Sequence, residues 1–367
     1  VVFSSVGGPA FVSDLQGGRR PGTAAEQADF LRVVQQLDIV HQEGGGPFEA
    51  MDLHPETRYL DLYLSLARTI DKNWQGFALG RERARDSIDM TALALGTDRD
   101  GLAASPALLT IVNTNTPLTL DIPMAEGLTE QALAGQAVCI TPFTLAGAMA
   151  PATLAGALVL QNAEVLATAT LVQLIRPGCP TVYGSFTSNV DMRSGSPAFG
   201  TPEYVRTAMV GGQLARRYNV PFRSSNVCAA NALDMQAAYE SVFSLWGAIM
   251  GGVNFLMHGA GWMEGGLHAS DEIYSQLRNL EIEIVDPEAV TIGIDGLEIE
   301  IEPTEEGEDE FDANLAEYMN ESELVQIAGD LIGEFDSDIA SRKDWIQTYV
   351  DGLELLGLKI EERTEPW

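Results

Sequence analysis

The stretch TVYGSFTSNVDMRSGSPAFGTPEYVRTAMVGGQLARRYNVPFRSS, residues 181–225, decides the fold. It opens on a short apolar run at 181–183 and passes through a loop rich in Gly and Ser. A helical pattern follows from Pro202 to Tyr218, and a second short run ends at Arg223. Proline in the first helical turn loses no hydrogen bond, so Pro202 marks a helix start. Strand, helix and strand in that order form the βαβ unit of a parallel sheet.

The same alternation extends in both directions. Candidate strands lie at 1–6, 37–41, 74–79, 108–113, 137–141, 181–183, 220–223 and 253–257. Helical patterns lie at 55–70, 81–95, 123–135, 151–169, 202–218 and 229–250. Eight strand positions predict an α/β fold, a (β/α)₈ TIM barrel, over an open doubly wound sheet. No G-x-G-x-x-G follows a strand, which also counts against a dinucleotide-binding sheet. The runs at 1–6 and 37–41 are the weakest strands, and 171–175 competes with 181–183 for one place.

From about Glu281 the texture changes, giving a barrel domain at 1–280 and an acidic C-terminal extension at 281–367. Residues 290–301 alternate around Asp295-Gly296 and read as a β-hairpin. An acidic linker follows at 303–312, then helical patterns near 321–334 and 341–356. The chain carries a net charge of −32, and residues 281–340 hold 21 carboxylates with no Lys or Arg. Phosphates would be repelled, which excludes nucleic acid as a partner. A solvated interaction tail, adaptation to high salt and calcium binding remain three readings of the acidic segment. No apolar run of spanning length escapes polar interruption; 145–172 contains Pro151, Gln161, Asn162 and Glu164. The start, Val-Val-Phe, has no basic leader, so neither signal peptide nor membrane span is expected. Three cysteines without C-x-x-C spacing fit a reducing cytoplasm.

In such a barrel the active site gathers at the strand carboxyl ends. Those positions hold His41, Asn113 with Asn115, Thr141 with Phe143, Tyr183 to Phe186, Arg223 to Asn226, and His258 to Trp262. The set is rich in amides, hydroxyls and aromatics and poor in acids and bases. Imine chemistry is excluded, because Lys72 precedes its strand and Lys343 and Lys359 lie in the acidic tail. The four histidines show no H-x-H or H-E-x-x-H spacing, so no metal site is expected. Glu264 beside Trp262 and a glycine pair suits a cage for a quaternary ammonium, whose cation–π contacts are each worth about 0.5–2 kcal/mol. Arg223 could fork onto a carboxylate, or pair with Asp191 or Glu203. His258 is open to two readings, a hydrogen-bonded core histidine or a substrate contact. Asp234 and Glu240 read as helix-face charges.

Eight segments then carry a resemblance. They are DLQGGRRPGT (14–23), LDIVHQEGG (37–45), GRERARDSIDM (80–90) and NTNTPLTLDIPM (113–124), followed by ITPFTLAGAMAPATLAGALVLQNAE (140–164). YGSFTSNVDMRSGSPAFGTPE (183–203), LARRYNVPFRSSN (214–226) and HGAGWMEGGL (258–267) complete the set. Together they resemble the corrinoid-dependent trimethylamine methyltransferase family. The resemblance implies a (β/α)₈ barrel and methyl transfer to the Co(I) of a corrinoid (cobalamin). It fades beyond Ser270, where the family's Gly-Gly-His-Phe segment is missing, and the family's N-terminal segment is absent too. No pyrrolysine is present, which resembles the branch acting on quaternary amines such as glycine betaine. A quaternary nitrogen is already cationic and leaves as a neutral amine, so no general acid is required. Holding the methyl in line then supplies the catalysis, up to about 7–11 kcal/mol in favourable cases.

The corrinoid is expected on a partner protein, because Asp52-x-His54-x-x-Thr57 is the nearest approach to D-x-H-x-x-G and lacks the glycine. In this reading Tyr183, Phe186 and Trp262 form the cage and Arg223 holds the carboxylate. Ser185 and Asn113 join the substrate-binding set, while His258, Glu264 and Asn226 form the catalytic one. A homo-oligomer in the cytoplasm is expected. The alternative is a catalytically inactive betaine-binding or scaffold paralogue.

Overall fold

The computed structural model describes residues 1–14 and 17–270, and the backbone of three further strands at Ile282–Asp286, Ala289–Ile294 and Leu297–Ile301. In chain order the first unit contains β1 (Val2–Phe3), β2 (Phe11–Asp14), β3 (Gly18–Pro21), β4 (Trp74–Gly76), β5 (Leu108–Val112), β6 (Ala137–Ile140) and β7 (Phe143–Ala146). It continues with β8 (Thr181–Gly184), β9 (Phe186–Val190), β10 (Pro197–Ala198), β11 (Phe222–Ser225), β12 (Phe255–Met257), β13 (Trp262–Met263) and β14 (His268–Ala269). Between them lie α1 (Ala24–Gln36), α2 (Arg58–Thr69), α3 (Arg81–Ala94), α4 (Arg99–Ala104), α5 (Ile122–Leu133), α6 (Leu154–Ile175), α7 (Pro202–Arg217) and α8 (Met235–Met250).

Seven strands form one parallel sheet in the order β1-β12-β11-β8-β6-β5-β4, with helical crossovers between sequence neighbours. The expected strand at 37–41 does not form. Leu37 caps α1, and the Lys72 ammonium takes the Leu37 and Val40 carbonyls that a ladder would have used. In its place the single residue Gln42 makes parallel bridges to Ser4 beside β1 and to Asn73 beside β4. The arrangement is TIM-barrel-like, with Gln42 standing between the sheet's two edge strands. The competing run at 171–175 is the last turn of α6.

Local chemistry sets the helix starts. Thr23 and Glu26 form a capping box at α1, a helix the apolar pattern alone did not single out. Asp121, Thr153, Thr201 and Asp234 each accept a backbone N–H at the starts of α5, α6, α7 and α8. Asp234 is therefore a cap rather than a face charge. Glu240 likewise turns inward, accepting from the Ala229 and Ala230 N–H groups at 2.7 and 3.0 Å. Helix α6 is apolar on average and has no single polar face; by length and composition alone it could cross a membrane. It lies here against β6, β7 and β9 as a crossover helix.

Strand alternation sorts side chains into two layers. Val138, Ile140, Tyr183 and Phe222 pack outward against the helices. Beyond the main sheet, β7 and β9 continue the chain past β6 and β8 and pair with each other, with β10 on the far edge of β9. A second small sheet, β13-β14-β2-β3, ties residues 262–269 to the start of the chain.

The second unit is described by itself. Its three strands are antiparallel, and Ile294 opposes Leu297. The helical patterns near 321–334 and 341–356 and the linker at 303–312 lie outside the described residues.

Candidate active site

Register explains which residues of the rim meet. Tyr183 is paired with Phe222, and Gly184 with Arg223. Partners in a parallel ladder share a face, so Arg223 points opposite to the outward-packed Phe222. The odd residues of 183–187 all turn to Gln161 on α6: Gln161 Nε2 donates to Tyr183 Oη at 3.3 Å, and its Oε1 accepts from Ser185 Oγ (3.0 Å) and Thr187 Oγ1 (2.5 Å). Phe186 therefore turns the other way, towards Arg223.

The Arg223 guanidinium lies with its carbon 5.0 Å from the Phe186 ring centroid. Around Phe186 stand Trp262 (5.7 Å between centroids), His258 (6.4 Å), Phe143 (5.4 Å), Phe199 (5.2 Å) and Tyr204 (6.4 Å). The His258 and Trp262 rings are 5.3 Å apart. Phe186, Arg223, His258 and Trp262 are thus brought together, each between 2% and 8% exposed.

Arg223 is the unusual member. Its Nη1 reaches the Ser185 carbonyl at 3.5 Å and its Nη2 the Met257 sulfur at 3.3 Å, while Nε has no partner. Among the described residues no carboxylate pairs with it, so neither Asp191 nor Glu203 neutralises it. Asp191 instead accepts from the Arg193 N–H and the Ser194 hydroxyl of its own turn. Burial lowers the guanidinium's pKa, yet arginine stays protonated in proteins, so a bare cation sits in the wall.

His258 follows β12 with a left-handed φ of 56°, unusual for a residue with a Cβ. The loop is held there by Asn226, whose Nδ2 donates to the Gly259 carbonyl at 2.9 Å and whose Oδ1 accepts from Ser241 on α8 at 2.9 Å. The Gly259 N–H in turn donates to the Ser4 carbonyl at 2.8 Å. Burial, and secondly the Arg223 charge, depress the His258 pKa well below its ordinary value. The imidazole is neutral, and its Nδ1 is buried without a partner.

The other expected members fall elsewhere. Tyr183 lies in the helix layer, donating to Asn162 Oδ1 at 3.1 Å and stacking on Tyr218. It does not join Trp262. Ser185 offers its carbonyl to Arg223 while its hydroxyl serves α6. Asn113 is exposed at the end of β5, two strands from β8 in the sheet order. Glu264 is ion-paired to Arg19 at 2.8 Å, which ties the residue after β13 to β3. Among the described residues no three His, Cys, Asp or Glu side chains gather as a metal-ligand group.

Three buried residues had not been singled out. Phe199 and Tyr204 complete the aromatic group; Phe199 lies within the Gly/Ser-rich loop of 191–200 and Tyr204 follows it. Glu43 is fully buried one residue past the Gln42 bridge, accepting from the N–H groups of Gly45 (2.9 Å) and Gly46 (2.6 Å). Desolvation pushes its pKa up to about 7 against those hydrogen bonds. The signal was a carboxylate opening the glycine run of HQEGGG, where the chain can turn its N–H groups back on the side chain.

Residues 1–276 match the trimethylamine methyltransferase (MTTB) family description. The chain belongs to the trimethylamine methyltransferase family. It is 40% identical over 265 residues to the glycine betaine methyltransferase of Desulfitobacterium hafniense (strain Y51), a match covering 72% of this chain and 55% of that protein. It is 32% identical over 251 residues to the proline betaine:corrinoid methyltransferase of Eubacterium limosum, covering 65% and 51%. The trimethylamine methyltransferase MttB1 of Methanosarcina acetivorans is 31% identical over 185 residues, covering 50% and 37%. The chain thus spans about half the length of the curated family members it matches most fully. The matched part holds every residue of the aromatic group around Arg223.

Proposed function

We propose that this chain takes a methyl group from a quaternary amine that also carries a carboxylate, glycine betaine or a close analogue, and gives it to a corrinoid protein. The buried Arg223, with no carboxylate partner among the described residues and with aromatic rings at its side, carries the reading. A betaine brings the two groups such a place lacks: an anion for the guanidinium and a methylated cation for the faces of Phe186 and Trp262. The betaine names of two relatives point the same way. Tyr183 is left out of the cage, and Phe143, Phe199 and Tyr204 are added.

The acceptor, a Co(I) corrinoid borne by a separate protein, supplies the electron pair for the new bond to carbon. The departing nitrogen keeps the pair of the broken C–N bond and leaves as a neutral tertiary amine. The residues here orient and desolvate. Arg223 fixes the carboxylate, the aromatic faces hold the ammonium, and neutral His258 adds no competing charge beside it. In the free chain these side chains pack against one another, so binding parts Phe186 from Trp262. The fold in this reading is a full (β/α)₈ barrel at 1–280, closed at Gln42, with an acidic extension after it. A reducing cytoplasm suits a Co(I) partner.

The test is to mix purified chain, glycine betaine and a reduced corrinoid protein. Dimethylglycine should accumulate as the Co(I) absorbance disappears. Silence across a panel of betaines defeats the enzyme reading. A second reading, a binding paralogue without turnover, is favoured by the closed packing around Arg223. Tight betaine binding by calorimetry with no methyl transfer would select it.

A further inference from the structure

Helix α8 carries its core contacts on one side through small residues, with Ala237, Ser244, Gly247 and Ala248 buried. The opposite face should then be polar, by the ordinary logic of an amphipathic surface helix. It is the reverse. Met235, Tyr239, Val242, Phe243, Trp246 and Met250 are all exposed, with Met235 at 73%, Tyr239 at 61% and Trp246 at 54%. Their spacing of three, four and seven places them in one stripe. Because the stripe lies directly opposite the core side, neighbouring helices of the same layer do not cover it.

Three observations say what does. First, composition: Trp, Tyr, Phe and Met are the residues enriched in the cores of protein interfaces. Second, area: with full side chains of about 150–250 Å² for the aromatics, these exposures leave roughly 700 Å² of apolar surface on the stripe. A standard interface takes about 800 Å² from each partner. Third, charge: the chain carries −32 overall, so two copies repel wherever their carboxylates face. The only charged residue of α8 is Glu240, which is turned inward to the Ala229 and Ala230 N–H groups. The stripe is a neutral window on an acidic protein.

We infer that a second copy of this chain covers the stripe, α8 packing against α8 antiparallel about a twofold axis. Val242 and Phe243 fall at the midpoint of Met235–Met250, so they meet their own counterparts at the axis. Met235 of one protomer then reaches Met250 of the other, and Tyr239 reaches Trp246. The contact is isologous and closes at two.

Sedimentation of the full chain tests this. The expected mass is twice 39.5 kDa. W246E and Y239E, both on the outward face, should each weaken the dimer by roughly a hundredfold or more and leave the circular dichroism unchanged. V242C provides a second readout that perturbs packing little. The chain's three cysteines are all buried, so the new thiol is the one available for cross-linking. Mild oxidation should give a covalent dimer. A larger even assembly that W246E halves agrees equally. A wild-type chain of single mass overturns the inference, and shielding of Trp246 from acrylamide in that monomer would assign the stripe to the chain's own remaining segments. A dimer untouched by W246E and not trapped by V242C overturns it as well.

Discussion

Replacing Arg223 by Met should make the ligand-free protein more stable and unable to bind betaine. The guanidinium is buried, with one carbonyl at 3.5 Å, one sulfur at 3.3 Å and no partner for Nε. Holding an ion there costs several kcal/mol even after relaxation, and replacing buried ionic groups by apolar ones of similar volume commonly gains about 1–4 kcal/mol. Methionine fills much the same space between Phe186 and Met257. For a unit of this size each kcal/mol moves Tm by about 2–4 °C, so R223M should melt several degrees higher. Betaine should act oppositely on the two proteins. At a hundred times Kd it stabilises the wild type by about 2.7 kcal/mol, or roughly 5–10 °C, and R223M not at all. Thermal melts at neutral pH with and without glycine betaine read both effects. If R223M melts lower than wild type and is still protected by betaine, Arg223 is a structural residue and the proposed site is wrong.

Glu43 should make stability depend on pH. Its folded pKa lies near 7 against an ordinary 4.5, raised by desolvation. Stability is therefore fully present below about 4.5 and is lost as pH rises through 7, by about 3 kcal/mol in all. E43Q keeps an oxygen for the Gly45 and Gly46 N–H groups, so urea melts between pH 4.5 and 8 should show that slope in wild type and its absence in the variant. Y183F removes the hydroxyl that meets Gln161 and Asn162; it should cost about 1 kcal/mol in a urea melt and leave betaine protection unchanged. N226A strands the Gly259 carbonyl and the Ser241 hydroxyl. It should cost about 2–3 kcal/mol and weaken betaine binding in calorimetry, because the left-handed turn at His258 loses its anchor.

The alternation of short apolar runs with helices was readable because runs such as 108–112 and 137–140 are apolar on both faces, as buried parallel strands are. The run at 37–41 misled for a physical reason: its carbonyls are claimed by Lys72, a long-range contact no local pattern shows. The rim was legible as a set of positions but not as a set of directions. Reading strand ends put Tyr183 beside Phe186, yet a strand turns successive side chains to opposite faces. Only the register, Tyr183 with Phe222 and Gly184 with Arg223, says which one turns towards Arg223. Glu264 read as a cage member because its partner, Arg19, stands 245 residues earlier in the chain. Phe199 was hidden in a loop without periodicity, where nothing local announces burial.

The single residue standing between β1 and β4 leaves a seam between the sheet's two edge strands. Elsewhere each pair of walls is laced by a ladder, but here the lacing is Gln42, whose carbonyl accepts from Ser5 and whose neighbour Glu43 donates its N–H to Asn73. Amide exchange should be fastest among the sheet residues at Ser5 and Glu43. The carboxyl that titrates near neutrality sits directly on that seam, so protons act where the two edge strands are least firmly stitched.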